Sequence, residues 1–181
     1  LSNIEVIHKE IEGCMYYFKY EVQETGKQLV IATTRPETMF ADQAIFVHPE
    51  DERYTDIIGL HAINPANGEA LVIMADDYID RDFGTAVMKC TPAHDPNDFA
   101  LAKKYGLSMP VCMNPDGTMN AMAKQYEGMD RFACRKALVE QFEKDGVVDR
   151  IEKIVHQVGH SERTGVIVEP YLSKQWFVKM E

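Results

Sequence analysis

The chain has 181 residues, of which 45% are hydrophobic, and 19 Lys and Arg against 29 Asp and Glu give a formal net charge of −10. This length suits one domain with a sizeable core, since single domains usually run from about 50 to 250 residues. The acidic balance excludes a protein that holds nucleic acid mainly by its own bulk positive charge. Charges interrupt the apolar stretches well before the ~18 to 20 residues that a membrane-spanning helix needs, so we expect no membrane partner.

The two ends of the chain indicate a piece of a longer protein. The first residue is Leu1 rather than Met, and the opening residues lack the basic start and apolar centre of a signal peptide. The interior shows no sequence repeat and no Pro/Gly/Ser-rich linker. We therefore expect a single domain over 1–181 whose ends, about 1–5 and 160–181, lead elsewhere in the parent chain.

The cysteines are widely spaced and form no C-x-x-C pair, which argues against a disulfide framework. Free cysteine commonly packs in cores as a small hydrophobe, so we expect buried thiols and a reducing, cytoplasmic setting. The four are Cys14, Cys90, Cys112 and Cys134.

The start of the chain predicts a β meander that ends in a polar loop. β-branched and aromatic residues over 3–22 and 28–33 flank the turn-forming residues 24–27, which predicts two or three antiparallel strands. Pro36 ends the last of these strands because it cannot donate to a sheet ladder, and its polar neighbours over 33–38 can cap a short helical turn.

Short apolar runs predict further strands in the middle of the chain. Buried strands are expected at 45–47 and 71–74, the second of them after a hairpin turn at 67–68. A short helix is expected over 49–58 and another strand over 84–91.

Two helices are predicted in the second half. The first is capped by Asp95 or Asn97 and ends near Tyr105, before Gly106. The second runs over 131–144. Its expected core-facing stripe consists of Phe132, Leu138, Val139 and Phe142.

The last predicted elements are strands at 147–158 and 166–168, joined by a polar turn around 160–165. Strands then outnumber helices and do not follow the βαβ rhythm of a parallel nucleotide-binding sheet. We expect a mixed α/β, strand-rich fold with a closed or nearly closed, β-barrel-like core and peripheral helices.

The densest polar cluster covers 89–98, where a predicted strand meets a predicted helix and polar groups point outward together. Such a junction can hold a ligand. The alternative is an ordinary helix N-terminus in which Asp95 caps, Asp98 lies near the helix dipole and His94 is solvated.

A second polar cluster covers 33–38, where Arg35 precedes Pro36. A guanidinium in this position can orient a carboxylate or phosphate in a fixed fork. The alternative is a capped turn with a surface arginine. Neither cluster contains a nucleophile elbow, a Ser-His-Asp context or a P-loop, so covalent catalysis and nucleotide hydrolysis have no support.

Histidine spacing gives little indication of a metal. His156 and His160 are four residues apart, but their neighbours favour strand and turn, and the Glu of an H-E-x-x-H pattern is absent. His94 and Asp95 are the pair that a metal hydrolase would use, yet no further ligands can be nominated. We expect no metal and no cofactor.

Residues 31–39 (IATTRPETM) and 89–99 (KCTPAHDPNDF) resemble the two signature segments of the editing domain inserted in valyl-tRNA synthetases. The resemblance covers essentially the whole chain, since 159–163 and 169–178 resemble the stretch that returns to the ATP-binding catalytic core of those enzymes. Editing domains of isoleucyl- and leucyl-tRNA synthetases share the first segment and are the alternative, but the form TPAHDPND is most similar to the valine enzyme.

The resemblance implies post-transfer editing: a positioned water hydrolyses the ester that joins threonine to the terminal adenosine of valine tRNA, with no side-chain nucleophile. By position, Asp98 would bind the α-ammonium group of the substrate. Lys89, with Thr38 and Asp95, would read the threonine hydroxyl and order water.

Further positions are implied in binding the substrate. Arg35, with Thr33 and Thr34, would orient the ester and the terminal nucleotide, and Phe83 would form a wall of the pocket. Thr91 shares a strand face with Lys89 and belongs to the same substrate-binding set.

Ala86 departs from the family pattern, because similar enzymes commonly have a second glycine at this point. An added methyl group would narrow the pocket floor near Phe83 or shift the strand.

The expected partners are the 3′ end of valine tRNA carrying threonine and the rest of the synthetase. The charge of −10 fits a tRNA partner if the domain receives only the single-stranded terminus while the rest of the enzyme supplies most phosphate contacts. A reading from a different class is a non-catalytic amino-acid-binding module in which Asp98 and Arg35 clamp a zwitterion.

Overall fold

We describe the fold from a computed structural model. The structure describes the backbone of residues 6–161 and the side chains of residues 12–155. The predicted strand at 166–168 and the chain ends at 1–5 and 162–181 lie outside the described residues. The single-domain assignment over 1–181 stays a prediction.

Strands dominate the described part of the chain, as predicted. The strands are β1 (Val6–Val22), β2 (Gln28–Thr33), β3 (Ala44–Val47), β4 (His61–Ile63), β5 (Ala70–Ala75), β6 (Val87–Cys90) and β7 (Val148–Ser161). The α-helices are α1 (Pro96–Tyr105) and α2 (Arg131–Asp145), and 3-10 turns cover Pro36–Ala41, Thr55–Ile57 and Ala121–Tyr126.

The seven strands described form one mixed sheet in the order β2-β1-β4-β5-β3-β6, with β7 also paired to β1. Strand β1 runs antiparallel to β2, β4 and β7, whereas β3 and β5 are parallel. Strands β2 and β6, at opposite ends of the path, contact each other, so the sheet curls until it is nearly closed. This confirms the predicted barrel-like core with helices outside it.

The main core lies between β1 and helix α2. Alternation along β1 buries Phe18, Tyr20 and Val22 on one face, because successive side chains of a strand point to opposite faces. The ring of Phe18 meets that of Phe142 from α2 edge to face, with centroids 4.9 Å apart. Burying such large rings supplies much of the hydrophobic stabilisation.

The predicted stripe on α2 is correct except at its first member. Leu138, Val139 and Phe142 are buried, but Phe132 is 38% exposed. The guanidinium groups of Arg131 and Arg135 lie 4.6 and 5.1 Å from its ring centroid. Phe132 therefore supports two arginines at the surface instead of entering the core.

The helix predicted over 49–58 is wrong, since only the turn Thr55–Ile57 is helical. The carboxylate of Asp51 accepts hydrogen bonds from the backbone N–H and the guanidinium of Arg53. Such side-chain bonding to nearby backbone competes with helix formation. Residues 49–54 form turns as a result.

The strand predicted over 84–91 begins only at Val87. Gly84 and Ala86 have φ values of 57° and 59°, in the left-handed region that an extended strand excludes. For Ala86 this conformation is strained, because a Cβ atom crowds the following carbonyl oxygen. Position 86 is therefore one that favours glycine.

The predicted ends of helix α1 are confirmed, whereas the polar turn predicted around 160–165 is wrong at its start, because strand β7 continues to Ser161. Helix α1 is capped by Asp95, which accepts a hydrogen bond from the N–H of Asn97, and it ends at Gly106 with φ of 66°. His156 and His160 lie on strand β7. The described cysteines are free thiols, buried at 90, 112 and 134 and half-buried at Cys14. Within the described residues, no helix is long and apolar enough to span a membrane.

Candidate functional site

The two polar clusters meet at one cavity of about 310 Å³. They meet because β2 and β6 contact each other, so the loop after β2 and the segment after β6 lie side by side. Each cluster supplies part of the lining. Eight of the nine positions implied by the resemblance line this cavity: Thr33, Thr34, Arg35, Thr38, Lys89, Thr91, Asp95 and Asp98.

Lys89 is held by three oxygen atoms in the wall of the cavity. Its side chain is 9% exposed, and its Nζ donates to Thr91 Oγ1 at 2.7 Å, Asp42 Oδ1 at 2.9 Å and Thr38 Oγ1 at 3.2 Å. We call Lys89, Asp42, Thr38 and Thr91 the lysine network. The ion pair of Lys89 is with Asp42 and not with Asp95 or Asp98, the acidic residues of its own segment.

Asp42 is a buried member of the site that the motifs did not reveal. Its Oδ1 accepts from the hydroxyl of Thr91 at 2.9 Å, and its Oδ2 accepts from the hydroxyl of Tyr20 at 3.1 Å. Burial raises the pKa of Asp42 above its ordinary value, although attraction to Lys89 opposes the rise. The sequence held one signal for this role: Asp42 is the only acidic residue in the mostly apolar run 39–47. An acid buried within such a run usually has a cationic partner.

Asp98 lies in the first turn of α1 and is 3% exposed. Its Oδ2 accepts a hydrogen bond from the N–H of Thr91 at 2.8 Å. Burial, with repulsion from Asp95, raises the pKa of Asp98 to about 7, while the Thr91 N–H and Lys89 oppose the rise. A buried carboxylate at the edge of a cavity is a strong binding group for a cation, because water there does not satisfy its charge.

His94 is buried, which contradicts the alternative reading of this cluster in which the histidine is solvated. It is 2% exposed, and its Nε2 accepts the backbone N–H of Cys112 at 3.1 Å. An accepting Nε2 requires the neutral ring. In residues 12–155 no group of three His, Cys, Asp or Glu side chains is placed to hold a metal ion.

Arg35 projects from a tightly bonded turn. Its backbone N–H donates to Thr33 Oγ1 at 3.1 Å, and its carbonyl accepts from Thr38 Oγ1 at 2.9 Å. Its Nη1 donates to the carbonyl of His94 at 2.8 Å, which joins the two clusters. The side chain is 22% exposed and lines the cavity, so it is not an arginine in open solvent.

Glu37, in the same turn, is fully buried and was also not assigned a role from the sequence. Its carboxylate accepts two hydrogen bonds from Arg135 of α2, at 2.8 and 2.7 Å. From the sequence, Glu37 was expected only to help cap the turn. Its partner Arg135 could not be foreseen, because it lies 98 residues further along the chain.

Phe83 is the one implied position that does not line the cavity. Its side chain is 77% exposed, and the turns formed by hydrogen bonds from Phe83 N–H to Asp80 and from Ala86 N–H to Phe83 direct it outward. Tyr78 lines the cavity instead. The predicted effect of Ala86 on the pocket floor is likewise unsupported, because Ala86 is absent from the lining.

The fold and the site define a strand-rich domain whose cavity combines buried Lys and Asp side chains with threonine hydroxyls. A family model described as "Leucyl-tRNA synthetase, editing domain" matches residues 50–158, and the chain belongs to this editing-domain family. The match covers the polar cluster at 89–98 and begins after the one at 33–38.

The curated relatives place the chain among valine enzymes within this family. It is 58% identical to the valine–tRNA ligase of Mesoplasma florum and 54% identical to that of Halalkalibacterium halodurans, in each case over 100% of this chain and 21% of the relative. The ligase of Enterococcus faecalis is 56% identical over 99% of this chain and 20% of its own length. The chain thus spans about a fifth of the length of these relatives.

A solved structure supports the fold. The LeuRS of Agrobacterium radiobacter K84, in a ternary complex with tRNA and LeuAMS, matches with a TM-score of 0.59 and 19% identity. The match covers 82% of this chain and 20% of that one. The predicted resemblance to a valyl-tRNA synthetase editing domain is confirmed by the whole-length matches to valine–tRNA ligases.

Proposed function

We propose that this domain hydrolyses the ester of threonine wrongly attached to valine tRNA, as the editing part of a valyl-tRNA synthetase. The observation that carries the proposal is the cavity itself, in which Lys89, held by the buried Asp42, and the buried Asp98 line one small space. Membership of the editing-domain family supports the same reaction.

The chemistry of the two amino acids explains why such a site is needed. Threonine has the shape of valine with a hydroxyl in place of one methyl group, and an apolar pocket rejects it poorly; the established discrimination by valyl-tRNA synthetases is only about 10². A second pocket built around hydroxyl partners favours threonine instead, because an analogue without the hydroxyl leaves buried polar groups unpaired. The lysine network offers such partners.

Asp98 is the proposed partner of the α-ammonium group. A cation beside its buried carboxylate favours the ionised form and compensates the cost of burying that charge. Lys89 and Thr38 are then the groups proposed to read the threonine hydroxyl, with Lys89 held in place by Asp42. Thr91 supports both carboxylates, through its hydroxyl to Asp42 and its N–H to Asp98.

The remaining groups orient the ester. Arg35 presents a guanidinium at the cavity, with Thr33 and Thr34 beside it, and is proposed to bind the ester and the terminal nucleotide. Asp95 lines the same cavity and is proposed to help order the attacking water. The water oxygen bonds to the carbonyl carbon, the bond to the ribose oxygen breaks, and that oxygen takes up a proton, which releases threonine and free tRNA.

The proposed partner is the single-stranded 3′ end of the tRNA, delivered by the rest of the synthetase. An acidic domain is suited to this limited contact, because phosphate neutralisation by the larger enzyme supplies most of the affinity. A cytoplasmic setting and the absence of a cofactor stay predictions.

The test is deacylation of threonyl-tRNA(Val) by the full-length ligase that contains this sequence. Asp98→Ala is expected to reduce the rate at least ~1,000-fold, because loss of a buried counter-charge costs several kcal/mol of transition-state binding. Asp56→Ala, which removes an exposed carboxylate, is the matched control and should deacylate normally.

Three outcomes contradict the proposal. A wild-type enzyme that leaves the ester intact would be an amino-acid-binding module. Activity lost on adding a chelator would indicate a metal hydrolase. An unchanged rate in folded Asp98→Ala would remove Asp98 from the site.

A further inference from the structure

We infer that Arg135, on helix α2 and outside the cavity lining, is a positioning residue for the proposed reaction: it holds the Glu37 carboxylate away from Arg35, so that the Arg35 guanidinium stays at the cavity. This inference rests on the proposed ester hydrolysis. It adds a residue from an element that neither sequence motif includes.

The ion pair between Arg135 and Glu37 has the geometry of a fixed clamp. The Nε of Arg135 donates to Glu37 Oε1 at 2.8 Å and its Nη2 donates to Oε2 at 2.7 Å. Glu37 is fully buried, whereas the Arg135 side chain is 24% exposed. Two parallel hydrogen bonds from a guanidinium fix both the distance and the plane of a carboxylate.

Helix α2 and the ring of Phe132 fix the arginine in turn. Helix α2 packs against the turn Pro36–Ala41 that carries Glu37. The Arg135 guanidinium lies 5.1 Å from the Phe132 ring centroid, within range of a cation–π contact. This contact gives the exposed Phe132 a role at the surface.

Arg35 competes for the same carboxylate. Its Nε lies 3.9 Å from Glu37 Oε2, the oxygen that also accepts from Arg135. That distance is an ion pair without a hydrogen bond. The Nη1 of Arg35 instead donates to the carbonyl of His94 at 2.8 Å, which holds the side chain along the cavity wall.

Removing Arg135 would change this balance. A buried carboxylate that loses its partner is strongly destabilised, and it would turn toward the cation 3.9 Å away. Glu37 would then form the hydrogen-bonded pair with Arg35 and draw its guanidinium from the substrate. The expected loss of deacylation in a variant without Arg135 therefore depends on the charge of Glu37. Replacing Glu37 by a neutral residue should restore activity.

The experiment compares variants of the full-length ligase in deacylation of threonyl-tRNA(Val). Arg135→Ala is expected to lower kcat at least tenfold. The double variant Arg135→Ala with Glu37→Gln is expected to regain at least half of the lost activity on a logarithmic scale, because a neutral amide does not capture Arg35. Arg135→Lys, which keeps the charge but forms one hydrogen bond, should be intermediate. Arg150→Ala, which removes a surface arginine paired with Asp149 and Glu152, should match wild type.

Charging of tRNA with valine, measured on the same preparations, verifies that each variant is folded. If Arg135→Ala deacylates like wild type, the inference is wrong. It is equally wrong if the double variant is no better than Arg135→Ala alone, because Arg135 would then act only in packing α2. If Arg135→Ala does not fold, Arg135→Lys alone and with Glu37→Gln provides the same comparison. A wild-type enzyme without deacylase activity would instead contradict the proposed function.

Discussion

The lysine network and the apolar core that contains Ile57 are both largely buried, with Lys89 9% exposed at the cavity wall and Ile57 fully buried. In the core, burial itself is the stabilising contribution. In the lysine network, burial is a cost that the ion pair and hydroxyl contacts of Lys89 must offset. The comparison teaches that burial serves stability in the apolar core and preorganised binding in the lysine network.

The substitution Asp42→Asn is expected to have the largest effect, because it should reduce both stability and deacylation. It leaves the Lys89 ammonium buried without its counter-ion, which should cost about 3 to 5 kcal/mol of unfolding free energy and abolish deacylation. The matched core variant Ile57→Ala should lose about 2 to 5 kcal/mol while each folded molecule keeps its activity. Urea unfolding and deacylation rates measure both, and normal editing by Asp42→Asn would contradict the role of the network.

A second prediction separates recognition from catalysis. Lys89→Ala removes a fixed donor beside Thr38, so it should slow hydrolysis of threonyl-tRNA(Val) and also weaken the rejection of correctly charged valine. The ratio of threonyl to valyl deacylation should narrow by at least about tenfold. Arg150→Ala, at an exposed ion pair with Glu152, is the control. Equal slowing of both reactions would assign Lys89 to catalysis or stability alone.

The third prediction concerns the pH dependence of activity and stability, to which the apolar side chains of the core do not contribute because they do not titrate. Binding of the ammonium group needs ionised Asp98, whose pKa is raised to about 7, so kcat/KM should fall tenfold per pH unit below that value. The folded state holds a proton on Asp98 between about pH 4 and 7 that the unfolded chain has released, so the contribution of Asp98 to stability should decrease as pH rises through this window.

Asp98→Asn tests this linkage. Its unfolding free energy should lack the decrease that Asp98 causes between about pH 4 and 7 in the wild type. Parallel pH profiles for both proteins would show that Asp98 titrates normally.

The smallest expected effect concerns backbone strain beside the site. Ala86→Gly should raise the unfolding free energy by about 0.5 to 1 kcal/mol, because glycine adopts φ of 59° without the Cβ clash. Ala66→Gly, at a turn residue outside the left-handed region, should lower it by a similar amount. The midpoints of urea unfolding measure both, and a loss of stability in Ala86→Gly would show that the strain is absent.

Sequence patterns were sufficient wherever the cause of a structure lies within a few residues. Asp95 and Gly106 mark the ends of helix α1 because capping involves only the adjacent backbone. The two signature segments identified eight lining positions because their spacing along the chain is characteristic of the family. The failed helix over 49–58 is instructive, since the bond between Asp51 and Arg53 is also local but competes with the helix.

The sequence by itself therefore determined the strand-rich class, the helix ends and the two segments that form the site. Only the tertiary structure decided which charges meet, namely Asp42 with Lys89 and Glu37 with Arg135. It also decided that Phe83 is exposed and that Tyr78 lines the cavity. The reason is physical, because the two charge pairs are separated by 47 and 98 residues and depend on how the sheet curls and where α2 packs. Burial, which raises the pKa of Asp98 to about 7, is likewise a property of the closed fold and of no local pattern.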